Sequence, residues 1–174
     1  MKQRPKIIAI TGAESTGKSN LARELSEHYG APFIPEYARD YIQNLDRKYT
    51  FEDVEYIAQK QVEQYNDLIK SGFQVIFLDT WLLITKVWFE VVFGRIPHWI
   101  ENELKNTKID LFLVCDTDLP WISDPVRENG GENRERLQEK YISEIGKYGF
   151  PYEIIQGMNG TRVQNAISVI DRIL

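Results

Sequence analysis

The chain has 174 residues and a formal net charge of −5 at pH 7, with 43% hydrophobic and 27% charged residues. These values are typical of one globular domain with a sizeable core, and the negative charge disfavours a broad nucleic-acid surface. No stretch approaches the ~20 apolar residues of a membrane span, no signal peptide precedes the first apolar run, and the single Cys115 cannot form an internal disulfide. We therefore expect one domain over residues 1–174, located in the cytoplasm, that binds neither nucleic acid nor membrane.

Short apolar runs and amphipathic segments alternate along the chain. Runs of strand length lie at 6–11, 32–35, 73–78, 109–115 and 152–155, and helical patterns lie at 18–29, 51–70, 82–93, 135–148 and 161–173. Such alternation predicts an α/β fold with a central parallel sheet of about five strands covered by helices on both faces. Sheets of this kind bind ligands beyond the carboxyl ends of their strands.

A glycine-containing loop follows the first apolar run. Residues 12–19 (GAESTGKS) match G-x-x-x-x-G-K-[ST], with an apolar run before the motif and a helical pattern after it. In such a phosphate-binding loop, backbone N–H groups and the helix dipole hold phosphate oxygens. Lys18 would reach the β- and γ-phosphates, and the Ser19 hydroxyl would ligate Mg²⁺. The pattern favours a P-loop NTPase fold. The residues predicted to bind nucleotide are Gly12, Ala13, Glu14, Ser15, Thr16, Gly17, Lys18, Ser19 and Asn20.

The loop does not show what happens to the terminal phosphate. A GTPase would read guanine with a T-K-x-D motif placed after a strand, but residues 107–110 (TKID) precede one. A motor or clamp ATPase usually places a Glu beside the strand-end Asp, but Thr80 follows Asp79. Both hydrolytic classes are therefore disfavoured.

A small-molecule kinase needs an acceptor site, a carboxylate near the acceptor hydroxyl, and arginines that close over the transferred group. Asp79 follows a fully apolar run, so we predict that it emerges at the ligand-facing end of an internal strand. It could act as a base, as a ligand of the acceptor hydroxyl, or as a partner of water bound to Mg²⁺.

Two further segments suit a kinase. Residues 35–41 (PEYARDY) offer Glu36, Tyr37 and Arg39 to an acceptor, although Glu36 and Arg39 could instead pair with each other. Residues 124–137 are polar and glycine-containing and lie where a lid belongs. The predicted lid arginines are Arg127, Arg134 and Arg136, and the aromatic residues that could stack on a flat acceptor ring are Trp81 and Trp121.

Four segments in this order resemble the nicotinamide-riboside kinase domain at the C-terminus of the bacterial NAD-biosynthesis regulator. They read GAESTGKS, PEYARDY, FLDT and DLPWISDPVREN. The resemblance runs from Ile7 to about Leu174. It implies a nucleoside-kinase-like fold with an arginine-bearing lid, ATP and Mg²⁺ as donor, and nicotinamide riboside as the small-molecule nucleoside acceptor. It also implies that residues 12–19 bind ATP, that Asp79 lies at the acceptor hydroxyl, that Glu36 and Arg39 line the acceptor pocket, and that Arg127 belongs to the lid.

The chain departs from the family pattern in two places. The family lid reads DDGLR where this chain has SDPVR at 123–127, and Trp81 stands where the family has a second Asp. Because the chain starts at its first strand, we also expect neither the adenylyltransferase nor the DNA-binding domain of the regulator. We predict a kinase whose catalytic residues are Lys18, Asp79 and Arg127. The alternatives are a kinase for another nucleoside or small alcohol, and a non-catalytic ATP-binding regulatory module.

Overall fold

A parallel sheet forms the centre of the molecule. The computed structural model describes residues 4–174, and the sheet within this range has five strands. They are β1 (Lys6–Thr11), β2 (Phe33–Ile34), β3 (Val75–Asp79), β4 (Leu111–Cys115) and β5 (Tyr152–Ile155). The spatial order is β2-β3-β1-β4-β5, and every pairing is parallel. The predicted α/β fold is confirmed, and β3 is an internal strand, as its apolar sequence predicts. Residues 1–3 of the predicted domain lie outside the described part.

Helices cover both faces of this sheet. Between Arg4 and Leu174 they are α1 (Lys18–Tyr29), α2 (Tyr37–Gln43), α3 (Phe51–Leu68), α4 (Leu82–Phe93), α5 (His98–Asn106), α6 (Glu132–Lys147) and α7 (Gly160–Ile170). The sequence pattern predicts all of these except α2 and α5. Helix α2 has seven residues and buries none, and α5 buries only Ile100 and Leu104. Such short helices offer too few turns for a recognisable 3.6-residue period. In the described part of the chain, no helix is both long and apolar enough to span a bilayer.

Strand residues alternate between two apolar cores because successive side chains point to opposite faces. Ile7 and Ile76 pack on one side with α3, α4 and α5, whereas Ile8 and Phe77 pack on the other with α1 and α7. The middle of the sheet is therefore dry on both faces. Polar groups that follow the strands meet at the carboxyl edge, where the phosphate loop, Asp79 and the loop after β4 lie together.

Candidate active site

The phosphate loop joins β1 to α1, and its backbone requires glycine at both ends. Gly12 has φ of 140°, and a Cβ there would lie 2.6 Å from the Cys115 carbonyl oxygen. Gly17 has φ of 78° and directly precedes α1. Ser15 also adopts a left-handed conformation, with φ of 60°. Left-handed backbone at successive turns is the geometry that forms an anion-binding concavity.

Asp79 is the predicted carboxylate, and it lies beside this loop. It ends β3, pairs in register with Ile10 of β1, and is only 3% exposed. Burial raises the pKa of Asp79, while the nearby Ser19 hydroxyl, the positive charge of Lys18 and the backbone of Glu36 oppose the rise. Within residues 4–174, Asp79 Oδ1 has no hydrogen-bond partner. A buried carboxylate oxygen without a partner is costly, so this atom is suited to receive a ligand.

Glu36 brings a second carboxylate to the same cluster. It directly precedes α2, and burial raises its pKa. Lys18 lowers that pKa and the negative charge of Asp79 raises it, so the three groups act on one another electrostatically. The Lys18 ammonium donates a hydrogen bond to the Ala13 carbonyl at 3.0 Å. The lysine therefore lies against its own loop in this structure.

A small cavity adjoins Asp79 on the side of β2 and α3. Its volume is about 10 Å³, room for no more than a single water molecule, and it is lined by Ile34, Pro35, Gln61, Leu78, Asp79, Thr80 and Trp81. Trp81 is 1% exposed, and its ring centroid lies 4.9 Å from that of Tyr65. It therefore borders the cavity from the core and does not offer an open ring face. Gln61, which the sequence analysis did not select, accepts a hydrogen bond from Thr85 at 2.8 Å and keeps its amide nitrogen for another partner.

The segment between β4 and α6 lies on the phosphate loop. Helix α6 begins at Glu132, and we call residues 120–131 the lid segment. The Glu14 carboxylate accepts hydrogen bonds from the backbone N–H groups of Glu128 and Asn129 at 3.2 and 2.9 Å. Ser15 Oγ accepts one from the Ile122 N–H at 2.9 Å. Two side chains of the phosphate loop thus hold the lid segment down.

Trp121 lies within the lid segment. A Cβ added to Gly130 would lie 3.3 Å from the Trp121 ring, so the indole packs across that glycine. The structure therefore places Trp121 against the lid's own backbone. Its predicted stacking on an acceptor would require the lid to move.

Arg127 and Arg39 meet at a shared carboxylate, Asp124. Arg127 donates to the Ile122 carbonyl at 2.5 Å, and its Nε is 3.6 Å from Asp124. Arg39 forms an ion pair with the same Asp124. The observed partner of Arg39 is therefore the lid, and the simple surface pair with Glu36 is not the arrangement found. Helix α2 and the lid segment are joined through Asp124.

The other two predicted lid arginines lie on α6 and differ from Arg127. Arg134 donates from Nε and Nη2 to the carbonyl oxygens of Glu14 and Ser15, both at 2.9 Å. Arg136 has a side chain that is 74% exposed and lies 3.7 Å from Glu132 on the helix surface. The prediction that all three arginines share one lid is therefore corrected, because α6 begins before Arg134 and turns Arg136 towards solvent.

Two further polar residues contact the phosphate loop, and neither is among the site residues predicted from the sequence. Gln138 accepts a hydrogen bond from the Ala13 N–H at 2.8 Å and donates one to the Cys115 carbonyl at 2.9 Å. Arg162 donates to the Thr16 carbonyl at 2.7 Å. Both lie on the buried faces of their helices. A polar residue on an otherwise buried helix face is the signal that could have identified them.

Comparison with known proteins assigns the family. A family model described as an AAA domain matches residues 7–162. The chain belongs to this family. It is 24% identical over 144 residues to the trifunctional NAD biosynthesis/regulator protein NadR of Salmonella typhimurium, which covers 80% of this chain and 35% of the relative. The corresponding NadR of Escherichia coli is 26% identical over 140 residues, covering 78% and 34%. The chain thus spans about a third of the length of these relatives.

Solved structures agree with this assignment. A crystal structure of NadR protein in complex with NR matches with a TM-score of 0.79 and 25% identity, over 98% of this chain and 52% of that one. A deoxyadenosine kinase from M. mycoides matches with a TM-score of 0.66 and 18% identity, over 95% and 99% of the two chains, which shows the fold alone. The predicted homology to NadR and the predicted nucleoside-kinase-like fold are both confirmed.

Proposed function

We propose that this protein is an ATP-dependent kinase that phosphorylates the 5′-hydroxyl of nicotinamide riboside to give nicotinamide mononucleotide. The observation that carries the proposal is the buried Asp79 carboxylate, whose Oδ1 has no partner among residues 4–174 and which lies beside Lys18 and Ser19. A kinase needs a carboxylate at this position to receive the acceptor hydroxyl. Homology to NadR, and its structure with NR, supports nicotinamide riboside as the acceptor.

The donor side fits ATP with Mg²⁺. Gly12 leaves no room for a Cβ because the loop packs closely against the Cys115 carbonyl at the end of β4, which fixes where the loop begins. Ser19 is the second residue of α1 and lies beside Asp79, so its hydroxyl is available next to the phosphate loop. Mg²⁺ is usually held by few protein groups together with substrate phosphates, and when bound it would neutralise phosphate charge. Lys18 would exchange its Ala13 carbonyl for phosphate oxygens.

On the acceptor side, the residues have distinct roles. Asp79 would accept the hydrogen bond of the attacking hydroxyl at Oδ1, orient its lone pair and take the proton late. Its burial makes the ionised form a stronger base than an exposed aspartate. Glu36, Tyr37 and Arg39 would line the acceptor pocket, and Arg127 would leave Asp124 to meet the transferred phosphoryl group. Trp81 and Gln61 line the small cavity beside Asp79, which would have to widen to admit any part of an acceptor.

The test is product analysis with a panel of acceptors. The protein is incubated with Mg-ATP and a set of nucleosides and small alcohols, and product masses are measured. We expect nicotinamide riboside to gain one phosphoryl group, and the Lys18→Ala variant to be inactive but folded. Transfer to a different nucleoside would correct the acceptor. ATP binding without transfer to any acceptor would support a non-catalytic regulatory module and contradict the proposal.

A further inference from the structure

Helix α6 makes four hydrogen bonds that converge on the phosphate loop and the adjacent end of β4. Arg134 donates to the carbonyls of Glu14 and Ser15, both at 2.9 Å. One turn later, the Gln138 amide accepts from the Ala13 N–H at 2.8 Å and donates to the Cys115 carbonyl at 2.9 Å. Arg134 and Gln138 are each 7% exposed. The two side chains therefore form a buried polar contact between α6 and the loop.

The physical need for such a contact follows from the loop itself. When backbone N–H groups turn inward to hold phosphate, the carbonyl groups of the same residues turn outward and must find other donors. The planar guanidinium of Arg134 satisfies two successive carbonyls with a fixed geometry. The Gln138 amide fixes the first turn of the loop against the end of β4. Because residues four apart share a helix face, one helix face supplies both contacts.

We propose that Arg134 and Gln138 are positioning residues that hold the phosphate loop in its nucleotide-binding shape. Arg134 acts through the carbonyls of Glu14 and Ser15, and it does not act on the transferred phosphoryl group. The proposal deepens the proposed function and rests on it for its link to catalysis. It separates Arg134 from Arg127, which shares the lid sequence but contacts Asp124 and Ile122.

The two roles predict different kinetic signatures. A loop that loses its shape binds every nucleotide with a β-phosphate less well. The affinities for ADP and ATP therefore fall by the same factor. An arginine that stabilises the transferring phosphoryl group instead lowers kcat and leaves ADP binding unchanged. Both amide atoms of Gln138 are bonded to the Ala13 N–H and the Cys115 carbonyl, so this side chain is not placed to act on the transferred phosphoryl group. If both residues hold the loop, their variants share one phenotype.

The experiment measures dissociation constants for ADP and Mg-ATP by calorimetry, and kcat at saturating substrates. The variants are Arg134→Lys, which keeps the charge but loses the guanidinium fork, and Gln138→Met, which keeps the length of the side chain. Arg172→Lys and Gln164→Met, at exposed positions of the C-terminal region, are the matched controls. Melting curves establish that each variant is folded.

We expect Arg134→Lys and Gln138→Met to raise the dissociation constants for ADP and ATP equally, by about tenfold. This change corresponds to the loss of one or two hydrogen bonds. We expect kcat to change less than about threefold, and the controls to match the wild type. A fall in kcat of Arg134→Lys with unchanged ADP binding would overturn the proposal. So would unchanged nucleotide binding in a folded Gln138→Met. If Gln138→Met does not fold, Arg134→Lys alone decides between the two roles. Nucleotide binding needs no acceptor, so this result stays distinct from failure of the proposed kinase activity.

Discussion

Asp79 combines a structural cost with a chemical use. Its side chain is buried at the end of β3, and Oδ1 has no hydrogen-bond partner in the described range 4–174. Ser19, Lys18 and the backbone of Glu36 offset the burial of this carboxyl group only in part, because its pKa remains raised. Functional sites commonly retain such costs because the group is completed by a ligand. Two predictions follow from the raised pKa of this carboxyl group.

The first prediction concerns the pH dependence of turnover. A general base acts in its ionised form, and burial raises the pKa of Asp79 above the usual ~3.9. We therefore expect kcat to fall as the pH is lowered through this raised pKa, at a higher pH than an exposed aspartate would give. Initial rates at saturating substrates, measured across the acid pH range, give the pH at which kcat falls. Burial also raises the pKa of Glu36, so Glu36→Gln is the control, and loss of the acidic limb in that variant would assign it to Glu36.

The second prediction concerns stability. The pKa of Asp79 is higher in the folded than in the unfolded chain, so folding favours the protonated form. Above both pKa values the ionised group destabilises the fold, and below both it makes no difference. We expect Asp79→Asn to raise Tm at neutral pH, with the gain shrinking as the pH falls through the raised pKa and disappearing below about 4. The exposed Asp67→Asn is the control. A lower Tm for Asp79→Asn at neutral pH would show that the ionised carboxylate stabilises the fold.

At the scale of elements, the lid segment links the donor and acceptor sides. Glu14 and Ser15 hold it on the phosphate loop, and Asp124 joins it to Arg39 of α2. Negative phosphates bound in the loop would lie near the Glu14 carboxylate and weaken its contacts with the lid. Nucleotide binding would thereby loosen the lid segment from the loop, and Arg127 would move with it because both of its partners, Ile122 and Asp124, lie within the lid. The lid segment can therefore respond to the occupancy of the phosphate loop.

The third prediction tests whether Arg127 of the lid segment stabilises the transferred phosphoryl group. If its charge acts mainly in the transition state, Arg127→Ala lowers kcat by roughly 10²-fold or more. The KM for the acceptor should change less than about threefold. Steady-state kinetics measure both, and Arg172→Ala provides the control for loss of an exposed arginine. A change confined to KM would show that Arg127 only binds the ground-state substrate.

Sequence patterns identify elements and strand-end residues, and they fail on side-chain partners. The P-loop and the position of Asp79 at a strand end follow local rules that operate within a few residues. Arg39 and Asp124 are 85 residues apart, so only the folded chain brings them together. The same holds for Arg134, whose sequence context is that of a lid. Its partners depend on where α6 begins, which the pattern predicts three residues late.

At the scale of the whole molecule, one sheet edge collects the chemistry. The order β2-β3-β1-β4-β5 places β3 and β4 on either side of β1. The phosphate loop therefore lies between Asp79 on one side and the lid attachment on the other. Acceptor-side residues follow β2 and β3, donor-side residues follow β1, and the lid with Arg127 follows β4, so all three meet at the carboxyl edge of the sheet. This arrangement is the structural basis for proposing a kinase.

The central claim is that Asp79 receives the acceptor hydroxyl. It is tested most directly by a single-turnover experiment with γ-³²P-labelled ATP, Mg²⁺ and nicotinamide riboside, comparing the wild type with Asp79→Asn. We predict that the wild type moves the label to nicotinamide mononucleotide, and that Asp79→Asn does so ~10²- to 10³-fold more slowly while its ATP affinity changes less than about tenfold. Equal rates in the two proteins would contradict the role of Asp79. Label that stays on ATP, or appears only as inorganic phosphate, in the wild type would contradict the kinase itself.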